Sequence, residues 1–192
     1  METKVTAEKN VFHKAMERIA VITALVTICF LVIYHTCRTT IFLSCAIAAG
    51  TTCYHFVMRL AVGYFVRLMA HKELNDENRW FREKAFERAL YRRLKVKYWK
   101  EKMPTYNPED FSIRDDRLEK MIQTMCISEL VHEIIVLLSF IPVLFALAFD
   151  SFPVFMTTSI IAALFDSCFV IMQRYNRPRV KKILARKRKK NA

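Results

Sequence analysis

Four long stretches of this chain are almost free of charge: roughly Ile19 to Tyr34, extendable to 15–36, then Ile41 to Ala70, Ile127 to Phe149 and Phe152 to Met172. Crossing a hydrocarbon core takes ~20 helical residues, the length class to which all four belong. Inside lipid the backbone has no water to bond, so only helices and closed barrels span it. The stretches are continuously apolar and lack the alternation of barrel strands. The sequence therefore predicts an all-α integral membrane protein with four transmembrane helices, at 15–36, 41–70, 127–149 and 152–172. Only Asp150 and Ser151 separate the last two, which makes them an antiparallel hairpin.

Composition matters here through its distribution. The chain is 54% apolar yet carries a formal charge of +13 from 31 Lys+Arg against 18 Asp+Glu. With two Gly and five Pro it is neither collagenous nor low-complexity. Fourteen Lys/Arg lie between Lys72 and Lys120 and ten between Arg174 and Lys190, whereas the Cys37–Thr40 and Asp150–Ser151 turns offer only Arg38. Basic residues stay on the cytoplasmic side, so the 1–14 tail, the 71–126 loop and the 173–192 tail are expected inside, with both termini in. A cleaved leader is the rival for the first stretch. Glu2, Glu8 and Glu17 dilute its basic flank, and Tyr34-His-Thr-Cys-Arg38 lacks the small residues of a cleavage site. Basic runs beside a span follow from orientation and anionic headgroups, which removes the case for nucleic acid.

Residues 78–102 are rich in helix formers, with no Gly or Pro. Phe86, Leu90 and Leu94 recur at four-residue steps among Arg82, Lys84, Arg88, Arg92, Arg93 and Lys95. This predicts one amphipathic helix at the inner headgroup layer. Met103-Pro-Thr-Tyr-Asn-Pro108 should end it. Ser112-Ile-Arg-Asp115 resembles a capping box opening a helix that can run from Leu118 to Phe149, kinked at Pro142.

Ionisable groups inside spans are expensive and mark sites by default. His55 and Arg59 sit on the second span, Glu129, His132 and Glu133 on the third, and Asp166 with Arg174 on the fourth, all toward the cytoplasmic ends. Glu129 and His132, three residues apart, can form an acid–base pair in which the carboxylate orients the imidazole. Glu133 can meet Arg59 or Arg174. The hairpin should gather Glu129, His132, Asp166, Arg174 and an Asn176-Arg177 turn into one pocket. The competing reading is an interhelical ion-pair network that holds the bundle together.

Other chemistries lose their motifs. His71-Lys-Glu-Leu-Asn-Asp76 has the His-x4-Asp spacing of glycerophosphate-type acyltransferases without their downstream motifs, and is read as chance. There is no Gly-x-Ser-x-Gly elbow, His-Glu-x-x-His zinc motif or phosphate-binding Gly loop. The six Cys (29, 37, 45, 53, 126, 168) include no Cys-x-x-Cys pair, so neither a metal site nor a disulfide framework is expected.

Gln173-Arg-Tyr-Asn-Arg-Pro-Arg179, with Glu129-Leu-Val-His132 and with Trp99-Lys100 following a basic aromatic segment that begins near Trp80, resembles the bacterial glycosyl-4,4'-diaponeurosporenoate acyltransferase family. The resemblance covers roughly residues 80–188 and leaves the first two spans outside it. It implies transfer of a fatty acyl chain to a sugar hydroxyl of a glycosyl-carotenoid-like glycolipid, in a bacterial cell membrane, from an acyl-CoA or acyl carrier protein thioester and without a bound cofactor. On that reading His132, with Glu129, is the catalytic base. His55, Arg59, Trp99, Lys100, Glu133, Asp166, Arg174, Asn176 and Arg177 are then expected to bind substrate. The alternative is a non-enzymatic multi-pass protein that binds lipid or a partner in the same pocket.

Overall fold

The computed structural model describes residues 2–69, 74–103 and 118–191. Seven α-helices occupy them: α1 Glu2–Cys37, α2 Thr40–Met69, α3 Glu87–Arg93, α4 Val96–Trp99, α5 Leu118–Leu138, α6 Ala146–Phe149 and α7 Phe152–Asn191. No strand occurs among the described residues. Four helical segments are long and apolar enough to cross a membrane: His13–Cys37, Thr40–Val66, Leu118–Phe149 and Phe152–Lys190. The chain is a multi-pass membrane protein. The expected helix stop at Pro104–Pro108, the capping box at Ser112–Asp115 and His71 of the His-x4-Asp pattern lie outside the described residues.

α1 packs along α2, and α5 packs along α7; α2 joins the two pairs by touching both α5 and α7. Ala20 is the only buried residue among the described side chains of α1, whereas Val21, Ile22, Leu25, Ile28, Leu31 and Val32 point outward. Outward apolar side chains on a spanning helix belong to lipid. At the α1–α2 seam small residues bring the backbones close. A Cβ added to Gly50 would meet Thr27 Cγ2 at 3.4 Å, and Cys53 Sγ lies 3.4 Å from the Ala20 carbonyl.

Three of these elements differ from the sequence expectation, each for a local reason. The single helix expected over 78–102 is broken. Residues 78–86 form turns, with Asn78 Oδ1 accepting the Trp80 amide at 3.1 Å. The later helix stops where Lys95 adopts φ 50°, the left-handed region. The turns survive because the Trp80, Phe81 and Arg82 carbonyls are held by arginines of α7.

The helix expected over 118–149 ends at Leu138 and continues as 3-10 turns at Ile141–Phe145 before α6. Pro142 has no N–H to offer the Leu138 carbonyl four residues earlier. Tyr54 of α2 donates its hydroxyl to that carbonyl at 2.9 Å. A helix break inside the membrane is thereby satisfied by a neighbouring helix, as lipid requires.

The basic tail and the expected Asn176-Arg177 turn are helical instead, because α7 runs without interruption through Pro178 to Asn191. Tertiary packing outweighs the local preference against helix before proline. Val180 is buried among Leu118, Met121, Ile122 and Met125 of α5, and Leu184 packs on the same cluster. The 40-residue α7 is thus ~60 Å long at ~1.5 Å per residue.

Candidate functional site

The ionisable residues singled out from the sequence fall into two layers stacked along the α5–α7 hairpin. The layer deeper in the spans is built by three helices. Asp166 of α7 is 1% exposed and takes His132 Nδ1 of α5 at 2.9 Å on Oδ1 and Arg59 of α2 on Oδ2. Ala162, Phe165, Asp166 and Phe169 fall at helical spacing on one side of α7. The His132 ring stacks on Phe169 at 4.5 Å with 8° between planes, and Arg59 lies 5.9 Å from the centre of the Phe165 ring. Packing and the carboxylate together therefore fix the imidazole.

Asp166, and not Glu129, is the carboxylate that orients His132. The expected Glu129–His132 pair does not form, because both oxygens of Glu129 are occupied by arginines of α7. With Nδ1 donating to Asp166, the other ring nitrogen, Nε2, has no partner among the described residues and His132 keeps a fifth of its side chain exposed. An imidazole held at one nitrogen by a buried carboxylate, with the other open, is the arrangement of a general base. Arg59 supplies the further positive charge that a buried carboxylate requires.

Beside this pair the α2 residues carry unmet hydrogen-bonding capacity. Arg59 donates to the His55 carbonyl at 3.0 Å, and its Nε has no partner among the described residues. His55 is 4% exposed, and neither ring nitrogen has a partner among the described residues. Buried polar groups left in this state are rare and concentrate at functional sites.

The second layer lies one to three helical turns further along α7. Glu129 is fully buried and accepts Arg174 at 2.5 Å and also Arg177, which is 2% exposed. Arg174 reaches Glu87 of α3 at 2.8 Å and the carbonyls of Trp80 and Arg82 at 3.2 and 3.4 Å. Arg177 donates to the Phe81 carbonyl and lies over the Phe81 ring at 5.0 Å. Glu133 meets one of the two arginines expected for it. It accepts Trp80 Nε1 at 2.9 Å, lies 3.8 Å from Arg174 and makes no pair with Arg59.

This layer staples the loop to the hairpin, helped by Lys181 on Asp76 and Glu77 and by Gln123 on the Leu74 backbone, while Arg188 on Glu119 ties α7 to α5. Tyr91 completes it by donating to Glu87 at 2.8 Å. Burial, and then the hydrogen bond to Glu87, push its hydroxyl above the ordinary range, so it remains a donor.

Asn176, expected in the same pocket, instead accepts Lys100, a residue expected to bind substrate, at 3.2 Å on the loop side. Trp99 donates to the Leu94 carbonyl at 2.9 Å and packs against Tyr91, Val96 and Tyr175. The expected single pocket is thus two layers with distinct partners. Glu87 and Trp80 were not singled out as site residues. Glu87 meets a need that shows only in the structure, where two buried arginines against one buried glutamate require a second acid.

All six cysteines are free, and no group of three His, Cys, Asp or Glu capable of holding a metal occurs among the described residues. No curated protein and no solved structure matches the chain. The family model for glycosyl-4,4'-diaponeurosporenoate acyltransferase matches residues 77–186, taking in the loop segment with Trp80 and Glu87, the α5–α7 hairpin and the arginines that join them. Matched over more than half of its length, the chain belongs to the glycosyl-4,4'-diaponeurosporenoate acyltransferase family.

Proposed function

We propose that the protein moves a fatty acyl chain from a thioester donor, acyl-CoA or acyl carrier protein, to a sugar hydroxyl of a membrane glycolipid of the glycosyl-carotenoid class. It does so at the cytoplasmic leaflet of a bacterial cell membrane, with both termini inside. The observation that carries this reading is the His132–Asp166 pair, with Nε2 uncommitted, in a chain of an acyltransferase family.

His132 Nε2 removes the proton of the sugar hydroxyl as its oxygen attacks the thioester carbonyl. The C–O bond forms, the C–S bond breaks, and the leaving thiolate takes the proton back from the imidazolium. Arg59 Nε and the His55 ring supply donors for the transient oxyanion, because they are polar atoms beside the pair without partners among the described residues. Glu129, Arg174 and Arg177 satisfy one another and the loop carbonyls, so their role is to hold the loop over the hairpin.

Lipid profiling of a deletion strain complemented with His132→Gln tests this. An unacylated glycolipid should accumulate as it does in the deletion strain. A second reading, lipid or partner binding without catalysis, draws on the completeness of the Glu129–Arg174–Arg177 network, which needs no ligand to be satisfied. On that reading the His132→Gln strain, with the protein present at normal level, accumulates no precursor.

A further inference from the structure

A cleft of about 740 Å³ opens on the loop side, between α3–α4 and the stretch of α7 beyond the ion-pair layer. Its size is that of small-molecule sites, which span ~300–1,000 Å³. Arg88, Arg92, Lys95, Lys97, Arg179 and Lys182 all line it, against one acid, Glu83. Glu83 is already taken by Arg88 at 3.2 Å. Arg92, Lys95, Lys97 and Lys182 have no ion-pair or hydrogen-bond partner through their side chains among the described residues. Arg174, Arg177, Lys181 and Arg188, by contrast, each hold a carboxylate. Four cations without a side-chain partner among the described residues therefore share one concave place.

The cleft is also aromatic. Tyr98 is 75% exposed on its wall, and Tyr175 forms another part of the wall with Arg179 stacked 3.4 Å from its ring centre. The left-handed Lys95 makes this shape, since it ends α3 and turns the chain so that Lys97 and Tyr98 of α4 line the same space as Arg88 and Arg92 of α3. A flat basic face suits a lipid surface, whereas an open basic cleft with an exposed ring on its wall suits a polyphosphate carrying a base.

We propose that this cleft binds the nucleotide end of a coenzyme A thioester, its 3′-phosphate and diphosphate against the six cations and its adenine against Tyr98. The inference rests on the acyl-transfer reading and names the donor class for it. The axial spacing is compatible with it. Tyr175 to Lys182 lie 9 to 16 residues beyond Asp166 on one continuous helix, about 14–24 Å at ~1.5 Å per residue. The pantetheine arm of coenzyme A is a tether of that order. Tyr175, Arg179 and Lys182 lie about 140–180° around α7 from Asp166 at ~100° per residue, so the arm has to round the helix to bring the thioester to His132.

The test uses the full-length protein in neutral detergent and measures binding apart from chemistry. Coenzyme A and adenosine 3′,5′-bisphosphate are titrated by calorimetry and by quenching of Trp80 and Trp99. Both should bind, more weakly as salt rises, and inorganic phosphate should bind far less well. Arg92→Gln, Lys97→Gln and Lys182→Gln combined should weaken coenzyme A binding at least about tenfold with an unchanged melting midpoint, because none of the three is in an ion pair among the described residues. Wild-type protein should show a lower KM for acyl-CoA than for acyl-pantetheine.

Equal affinity for the two nucleotides and for inorganic phosphate overturns the proposal, as does undiminished binding in the triple variant. Displacement of coenzyme A by phosphatidylglycerol vesicles but not by the bisphosphate assigns the cleft to lipid headgroups and also overturns it. Nucleotide binding without acyl transfer supports the cleft and removes the reading on which its purpose rests. Transfer from acyl-pantetheine or an acyl carrier protein without nucleotide binding removes the cleft and keeps that reading.

Discussion

Glu129→Gln is the most informative perturbation of the bundle. Glu129 is fully buried and compensates two arginines from one position. Arg174 keeps Glu87 when that charge is removed, but Arg177, 2% exposed, loses its only carboxylate among the described residues and retains the Phe81 carbonyl and ring. Removing one partner of a buried pair costs about 3–5 kcal/mol, because the remaining charge stays out of water. At ~2–4 °C per kcal/mol for a chain of this size, the melting midpoint should fall by about 6–20 °C. Cys126, fully buried three residues before Glu129, is the natural reporter. With the other five cysteines changed to serine, a thiol-reactive fluorophore in detergent reads its exposure as the bundle opens. Combining Glu129→Gln with Arg177→Met should recover more than half of the loss, since the orphaned charge goes with its partner. A fall of less than about 2 °C, or no recovery in the double variant, refutes the assignment of this layer to holding the loop.

Three further outcomes follow from the same geometry. Asp166→Asn should lower acyl transfer by about 10²–10⁴ by disturbing the His132 tautomer, measured as precursor accumulation at matched protein level; full activity would remove Asp166 as the orienting group. Tyr54→Phe orphans the Leu138 carbonyl and should cost about 0.6–1.7 kcal/mol in thermal melts. That cost should shrink in a Pro142→Ala background, where the backbone N–H is restored, and equal costs in both would contradict the account of the break. Single cysteines at Lys84 and Lys190 in a cysteine-free protein should both escape an impermeant thiol reagent in intact cells; labelling of either from outside reverses the proposed orientation.

The four spans were legible in the sequence because hydropathy is additive along the chain and needs no knowledge of neighbours. The same holds for the depth of His132 and Asp166, which follows from residue count and helical rise. Pairing was not legible. Glu129 and His132 are adjacent at i,i+3, yet each chose a partner on α7, because a buried carboxylate is satisfied by the nearest full charges and not by the nearest neighbour in sequence. The break in the loop helix was hidden for a related reason. Residues 78–102 favour helix locally, and what overrides them is the demand of Arg174 and Arg177 for backbone carbonyls more than ninety positions away. Pro178 shows the reverse case, a local breaker silenced by the packing of Val180 on α5.

The outward face of α1 has an evolutionary consequence. A helix that buries only Ala20 among its described side chains and otherwise meets lipid is tested by selection for oiliness and little else, so its residues are free to drift among Val, Ile, Leu and Phe. Only the narrow strip that lets Thr27 approach Gly50 resists exchange. Relatives should therefore carry first helices with little recognisable kinship in letters, alike only in length, in oil and in one slender seam.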